Sequence, residues 1–230
     1  MNVNDTKLQS NPYGEFAYET FRKLGHAFID KSAVIKDLES ADTPRYPVLL
    51  RPRRFGKSTF VRMLKCFYDI SYKSSYDEIF SQTAIYRENL ESHNTYHVLD
   101  FNFSGVSGTK EDTLVSSYII AVSRGITNFK ARYPDFVFNP TDAQKETPSG
   151  FIKSFFEAYE LYPSRANLYI MIDEYDNFAN GLLSKNLELF KAITSAGGFL
   201  KDFYAAIKEG TGDCVAKTFI TGVSSVLSTL

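Results

Sequence analysis

Two short segments of the sequence carry residues suited to binding phosphate groups and a divalent cation. The first reads RPRRFGKS at 51–58 and ends in Gly56, Lys57 and Ser58. In a P-loop, backbone N–H groups at a helix N-terminus cradle the phosphates, a lysine neutralises the β and γ oxygens, and a hydroxyl binds Mg²⁺. Lys57 and Ser58 stand in the order that these roles require, so the segment predicts a P-loop.

The segment departs from the general pattern GxxxxGK followed by Ser or Thr, because Arg51 occupies the place of the first glycine. An apolar run before it and a helical pattern after it support the prediction all the same. Arginines here would either bind phosphate oxygens bidentately or pair with acids elsewhere. The expected nucleotide contacts are Arg53, Arg54, Phe55, Gly56, Lys57, Ser58 and Thr59.

The second segment places two acids directly after the apolar run LYIMI at 168–172, at Asp173 and Glu174. This matches a Walker B strand, in which the aspartate orients the Mg²⁺ shell and the glutamate polarises the attacking water. The simpler alternative is that Asp173 or Asp176 caps a helix. We expect Ser58 and Asp173 to hold the metal and Glu174 to act as the base, with Lys57 stabilising charge.

A polar residue between these two segments would complete the site. The run ending in FITGVS at 219–224 offers Thr221 and Ser224, which are candidates to contact the γ-phosphate or the lytic water, as a sensor 1 residue does. An ordinary turn after Gly222 would place two small hydroxyl residues there equally well. Thr221 is therefore the third predicted catalytic residue, together with Lys57 and Glu174.

The elements that must position these residues alternate between strands and helices. Strands are predicted at 46–50, 97–103, 167–172 and 216–221, and amphipathic helices at 60–68, 114–126, 151–159 and 199–207. The alternation predicts a three-layer α/β fold with a mostly parallel sheet, whose ligands bind at the carboxyl ends of the strands. The run LDFNF at 99–103 alternates, so we expect it near a sheet edge. The stretch 134–150 contains three prolines and is predicted to be a loop.

Composition supports a globular chain and restricts the class of partner. Of the 230 residues, 43% are hydrophobic, which is enough for a large core, and we expect a single domain over 1–230. The net charge of -1 gives no basic field, so direct nucleic-acid binding is not indicated. Two distant cysteines, a polar N-terminus and no long apolar run favour a cytoplasmic location without a membrane span.

Together, these motifs resemble the AAA-ATPase-like family, in which a divergent P-loop domain is often followed by a PD-(D/E)XK nuclease-like domain. HAFIDK at 26–31 is similar to the family's VDKT segment, which contributes Asp30 and Lys31 as markers without a derived role. RPRRFGKS is the specific signal, because arginine at the first glycine position is typical of the family. LYIMIDEYD at 168–176 and FITGVSSV at 219–226 complete the series.

The resemblance implies an ASCE-type sheet, in which the strand leading to Thr221 lies between the P-loop strand and the Walker B strand. We expect the chain to stop before a fifth strand and lid, leaving one edge of the P-loop strand unpaired. Pro134 and Asp135 are not followed by an ExK motif, so no nuclease activity is expected. A fused or partner nuclease-like domain and a homo-oligomer, which could supply an arginine finger, remain open as partners.

Three functions compete at this stage. The first is Mg²⁺-dependent ATP hydrolysis, which Glu174 favours. The second is an ATP-binding switch or scaffold with little turnover that regulates an effector domain. The third is a degenerate fold that binds no nucleotide, which Lys57, Ser58 and Asp173 argue against and the arginine at the first glycine position supports.

Overall fold

The computed structural model describes residues 17–26 and 28–225. Within those residues, the strands are β1 (Val48–Leu50), β2 (Tyr96–Asn102), β3 (Asn167–Asp173) and β4 (Val215–Gly222). They form one parallel sheet in the order β1-β4-β3-β2. The predicted strands and the α/β class are confirmed. The strand that ends near Thr221, β4, lies between β1 and β3, which is the strand order that the resemblance implied.

The register aligns the carboxyl ends of the strands. Leu50 pairs with Gly222, and Asn102 pairs with Asp173. Residues 99–102 of the alternating segment belong to β2, an outer strand, as the pattern predicted, and Phe103 directly follows that strand. Since parallel strands end at one edge of the sheet, residues that are far apart in sequence meet there.

Helices connect the strands and cover the sheet. The described α-helices are α1 (Tyr18–Leu24), α2 (Val34–Leu38), α3 (Lys57–Tyr68), α4 (Tyr76–Phe80), α5 (Glu111–Arg132), α6 (Asp142–Lys145), α7 (Pro148–Glu160), α8 (Asn177–Lys185), α9 (Leu187–Thr194) and α10 (Phe199–Gly210). Two 3₁₀ helices occupy Ile70–Ser75 and Ile85–Glu88. In the described parts of the chain, none of these helices is both long and apolar enough to cross a membrane.

Each face of the sheet packs against its own set of helices. Alternate side chains of a strand point to opposite faces. Accordingly, Ile170 and Ile172 of β3 join a core with α5, α7 and α10, whereas Tyr169 and Met171 join a second core with α1, α3 and α4. This gives the predicted three layers, and the four predicted helical stripes are the core-facing sides of α3, α5, α7 and α10.

Two boundaries predicted from sequence are wrong. Tyr46 and Pro47 precede β1 rather than belonging to it. The stretch 134–150 is only partly a loop, because it contains α6 and the start of α7. Pro148 is the first residue of α7, where the lack of an N–H costs nothing, and the side chain of Thr147 accepts the N–H of Gly150 as a cap.

Candidate nucleotide-binding site

The chain passes from β1 into α3 through a loop with two left-handed residues. Gly56, the N-cap of α3, has φ of 77°, and Arg54 has φ of 67°. Glycine adopts this region without the clash of a Cβ, whereas arginine there costs about 1–3 kcal/mol. The first N–H groups of a helix lack intrahelical acceptors, so those of Lys57, Ser58 and Thr59 are donors available to an anion.

Lys57 folds back over this loop. Its side chain is nearly buried, at 6% exposure. The ammonium Nζ donates to the backbone carbonyls of Arg51 at 2.9 Å and Pro52 at 3.1 Å. The charge of Lys57 is therefore held at the start of the loop by neutral acceptors.

The remaining loop residues are exposed. The guanidinium of Arg53 donates to Oδ1 of Asn177 at 2.9 Å, so this arginine joins the loop to the first turn of α8. Arg54 is exposed, and Phe55 is 60% exposed. The sequence left two roles open for Arg53, phosphate binding or pairing with an acid. In the structure its side chain contacts a neutral amide, which does not balance the positive charge of the guanidinium.

Asp173 is the last residue of β3 and is held from two sides. Its Oδ1 accepts the hydroxyl of Thr221 at 2.5 Å, and its Oδ2 accepts the amide of Asn102 at 3.2 Å. Asp173 is 4% exposed, and Thr221 is fully buried. Each contact comes from a neighbouring strand, so the sheet itself sets the orientation of this carboxylate.

Ser58 and Asp173 face a common polar cavity of about 180 Å³, which Asn102 also lines. Hydroxyl and carboxylate oxygens are the ligands that Mg²⁺ accepts, and Mg²⁺ commonly takes only one or two from protein beside substrate phosphates and waters. Among the described residues, no three His, Cys, Asp or Glu side chains form a metal cluster. One hydroxyl and one carboxylate suit a cation that takes the rest of its shell from nucleotide and water.

Glu174 follows Asp173 in a left-handed conformation with φ of 55°. Its N–H lies 3.4 Å from the hydroxyl oxygen of Thr221. Desolvation, and then the negative charge of Asp173, raise the pKa of the Glu174 carboxyl above its ordinary value, against the opposing charges of Lys57 and Arg53. The charges that act on the Glu174 carboxyl thus come from the 51–58 loop and from the residues around the end of β3.

Asp176 ties the turn after β3 to the end of β4. Its carboxylate accepts the N–H of Val223 at 3.0 Å, and both the N–H and the hydroxyl of Ser224 at 2.6 and 2.7 Å. Although Asp176 is at the N-cap position of α8, its side chain does not cap that helix. The hydroxyl of Ser224 is likewise used here, since it also contacts Oδ1 of Asn180 at 2.7 Å.

Gly222 lets these two segments approach. A Cβ at this position would lie 2.3 Å from the ring of Tyr175 and 2.7 Å from a carboxylate oxygen of Asp176. The hydroxyl of Tyr175 in turn donates to the carbonyl of Ser224. A side chain at Gly222 would force the turn after β3 away from β4 and disturb Glu174.

The structure brings Lys57, Ser58, Asp173, Glu174 and Thr221 to the same edge of the sheet. Thr59, in the first turn of α3, lines a different cleft together with Phe28. Reasoning from sequence did not identify Asn102, although its place at the end of a predicted strand was a usable signal. It also gave no role to Asp30 and Lys31.

The chain belongs to the family described as Predicted AAA-ATPase, whose model matches residues 12–229. No curated protein sequence and no solved structure matches the chain. The family supports an ATP-binding, ATPase-like function.

Proposed function

We propose that this AAA-ATPase-like chain binds ATP with Mg²⁺ and hydrolyses it. The observation that carries the proposal is the convergence of Lys57 and Ser58, at the start of α3, with Asp173 and Glu174 at the end of β3. Three kinds of group meet there: a cation for phosphate, oxygen ligands for a metal, and a carboxylate for water. This set suits phosphoryl transfer, whose catalysis rests on positioning and electrostatic stabilisation.

Phosphate binding falls to the loop and the start of α3. The N–H groups of Lys57, Ser58 and Thr59 would donate to phosphate oxygens, aided by the positive end of the helix dipole. Lys57 now donates to the carbonyls of Arg51 and Pro52. Charged phosphate oxygens are stronger acceptors than carbonyls, so the ammonium would turn to the β and γ oxygens when nucleotide binds. The exposed Arg53 and Arg54 add positive charge near this site.

Ser58 and Asp173 would hold the metal. Their shared cavity and the two hydrogen bonds that orient Asp173 support this assignment. When bound, Mg²⁺ supplies charge neutralisation at the β and γ oxygens. The protein's own part is to orient the Asp173 carboxylate, which Thr221 and Asn102 do by donating to it.

Glu174 would accept a proton from the attacking water. A general base works best when its pKa approaches the working pH, and the pKa of Glu174 is shifted upward, in the useful direction. Thr221 donates to Asp173 and lies beside the Glu174 N–H. We therefore assign Thr221 a role in positioning both acids. As a sensor 1 residue it would also contact the γ-phosphate or the attacking water.

A nucleotide-dependent switch with little turnover is the second candidate. It is favoured by the contacts that the site residues make in this structure: Lys57 with loop carbonyls, and Arg53 with Asn177. Exchange of these contacts for phosphate would move the loop relative to α8. The effector in that case would be a fused or partner nuclease-like domain or a second copy of the chain.

The proposed location of the protein is the cytoplasm, which agrees with its two free cysteines.

A single experiment separates these functions. A fluorescent ATP analogue is titrated with and without Mg²⁺ while phosphate release is measured in parallel, on the parent, on Lys57→Ala and on the control Lys208→Ala from α10. Hydrolysis predicts binding and turnover that both depend on Lys57. A switch predicts Lys57-dependent binding with no release of phosphate above background. Binding that is absent, or equal in all three proteins, would remove the P-loop assignment.

A further inference from the structure

The turn before α2 is firmly anchored to the body of the protein. Oδ1 of Asp30 accepts the N–H of Ser32 at 2.8 Å, and Oδ2 accepts the N–H of Ala84 at 2.7 Å. The hydroxyl of Ser32, a fully buried residue, accepts the N–H of Ile85 at 3.1 Å. Asp30 and Ser32 therefore fix the position of the residue between them, which is Lys31.

Lys31 reaches the P-loop from this anchored turn. Its Nζ donates to the carbonyl of Phe55 at 3.2 Å. A Cβ placed on Gly56 would lie only 3.3 Å from the same nitrogen. A second ammonium group thus contacts the phosphate-binding loop, and its residue lies 24 positions before Phe55 in the chain.

An open apolar cleft lies beside this lysine. It has a volume of about 390 Å³, and Lys31, Val34, Val48 and Phe55 line it together with Gly56 and Lys57 of the P-loop. We call it the α2 cleft. Its size is that of small-ligand sites, which are mostly apolar with a few fixed polar groups. Because Gly56 and Lys57 line the α2 cleft as well as the loop, the cleft is continuous with the predicted phosphate site.

We propose that the Asp30–Ser32 turn and the start of α2 form the nucleoside half of the nucleotide site. The base lies in the α2 cleft against Val34 and Phe55, and Lys31 binds the phosphate nearest the ribose. This inference rests on the proposed function and gives Asp30 and Lys31 a role. The aromatic base complements the apolar walls, and the polyphosphate complements the two lysines that meet at Gly56.

The size of the effects follows from exposure. Lys31 is exposed, so a single ion contact there is worth about 1 kcal/mol, and its loss should weaken ATP binding about fivefold. Val34 is 42% exposed, so a larger side chain can fill the α2 cleft without disturbing the core. A side chain that occupies the proposed base site should reduce ATP affinity on the order of tenfold or more, because the base can no longer be buried there.

The test compares two ligands, ATP and inorganic tripolyphosphate, by calorimetric titration with Mg²⁺. Val34→Trp should weaken ATP binding and leave tripolyphosphate binding unchanged, because tripolyphosphate has no base. Val137→Trp, at a valine with 72% exposure outside the α2 cleft, is the matched control. Lys31→Met should weaken ATP binding and Lys31→Arg should restore it, with Lys36→Met on α2 as the control for loss of one charge. Thermal melting confirms that each variant is folded.

The outcomes separate this inference from the proposed function. If Lys57→Ala weakens both ligands but Val34→Trp weakens neither, the α2 cleft takes another occupant, such as a further segment of protein, and the inference is overturned. Equal loss of ATP and tripolyphosphate in folded Val34→Trp would also overturn it. If the parent binds neither ligand, the proposed function itself fails, and the nucleoside site fails with it.

Discussion

The hydroxyl of Thr221 donates to Oδ1 of Asp173 across 2.5 Å, from the end of β4 to the end of β3. This contact links the central strand of the site to the predicted metal ligand. A hydrogen bond from a buried hydroxyl to a carboxylate is stronger than a hydrogen bond between two neutral groups. Removing the donor leaves a buried acceptor without a partner, which costs free energy of folding. The contact therefore makes Thr221 a determinant both of stability and of the aim of Asp173.

Replacing Thr221 by Val removes the hydroxyl and keeps the shape of the side chain. We expect the free energy of unfolding to fall by about 1–3 kcal/mol, because Asp173 loses a buried donor. Phosphate release should fall on the order of ten- to a hundredfold, as misplaced catalytic groups commonly cause. Thr218→Val, at another buried position of β4, is the control. Turnover equal in the two variants would show that Thr221 does not position Asp173 for catalysis.

Replacing Ser58 by Ala tests the metal assignment. The hydroxyl is predicted to bind Mg²⁺ rather than phosphate, so ATP affinity should fall about tenfold with Mg²⁺ and stay unchanged with a chelator. Ser116→Ala is the control, because Ser116 is an exposed serine of α5 that does not line the cavity shared by Ser58 and Asp173. Equal losses with and without metal would mean that Ser58 is not a metal ligand.

Replacing Glu174 by Gln should stop phosphate release and leave ATP binding largely intact, since the change keeps the size of the side chain and removes the base. In the parent, kcat/KM should fall as the pH is lowered through the pKa of Glu174. Because that pKa is raised above its ordinary value of 4.5, the loss should begin at higher pH than for an ordinary glutamate. A profile that stays flat down to pH values near 4.5 would contradict the assignment.

The same substitution should stabilise the fold at neutral pH. A carboxyl with a higher pKa in the folded chain than in the unfolded chain is destabilised in its ionised form by folding. Ionised Glu174 therefore lowers the free energy of unfolding above its folded-state pKa, and this cost vanishes as the pH falls below the unfolded value. Urea unfolding of Glu174→Gln should show a gain at pH 7 that shrinks in acid. A loss at pH 7 would show that the carboxylate has a stabilising partner.

Replacing Asp176 by Ala should destabilise the protein without removing a metal ligand. The carboxylate accepts two backbone N–H groups and the Ser224 hydroxyl, so we expect a loss of about 2–4 kcal/mol in the free energy of unfolding. Asp202→Ala, at an exposed position in the first turn of α10, is the control. A change below 0.5 kcal/mol, the range of ordinary surface substitutions, would show that this tie is unimportant.

Local patterns in the sequence determined the outline of the site. Gly56, Lys57 and Ser58 lie between an apolar run and a helical pattern, and Asp173 and Glu174 follow a second apolar run, so both motifs could be placed on their elements. The helical stripes were equally clear, because periodicity needs only neighbouring residues. Boundaries were less certain: the prolines in 134–150 suggested a loop, yet Pro148 begins α7.

Only the tertiary structure decided how these motifs are joined. Thr221 orients Asp173 across a separation of 48 residues, Asn102 does so across 71, and Lys31 reaches Phe55 across 24. Such contacts depend on strand order and register, which bring chain segments together after the sheet has formed. The type of a side chain determines which hydrogen bonds it can make, whereas the fold determines which partner lies within reach. Asp176 could have capped α8, but in the structure its carboxylate binds the residues that follow β4.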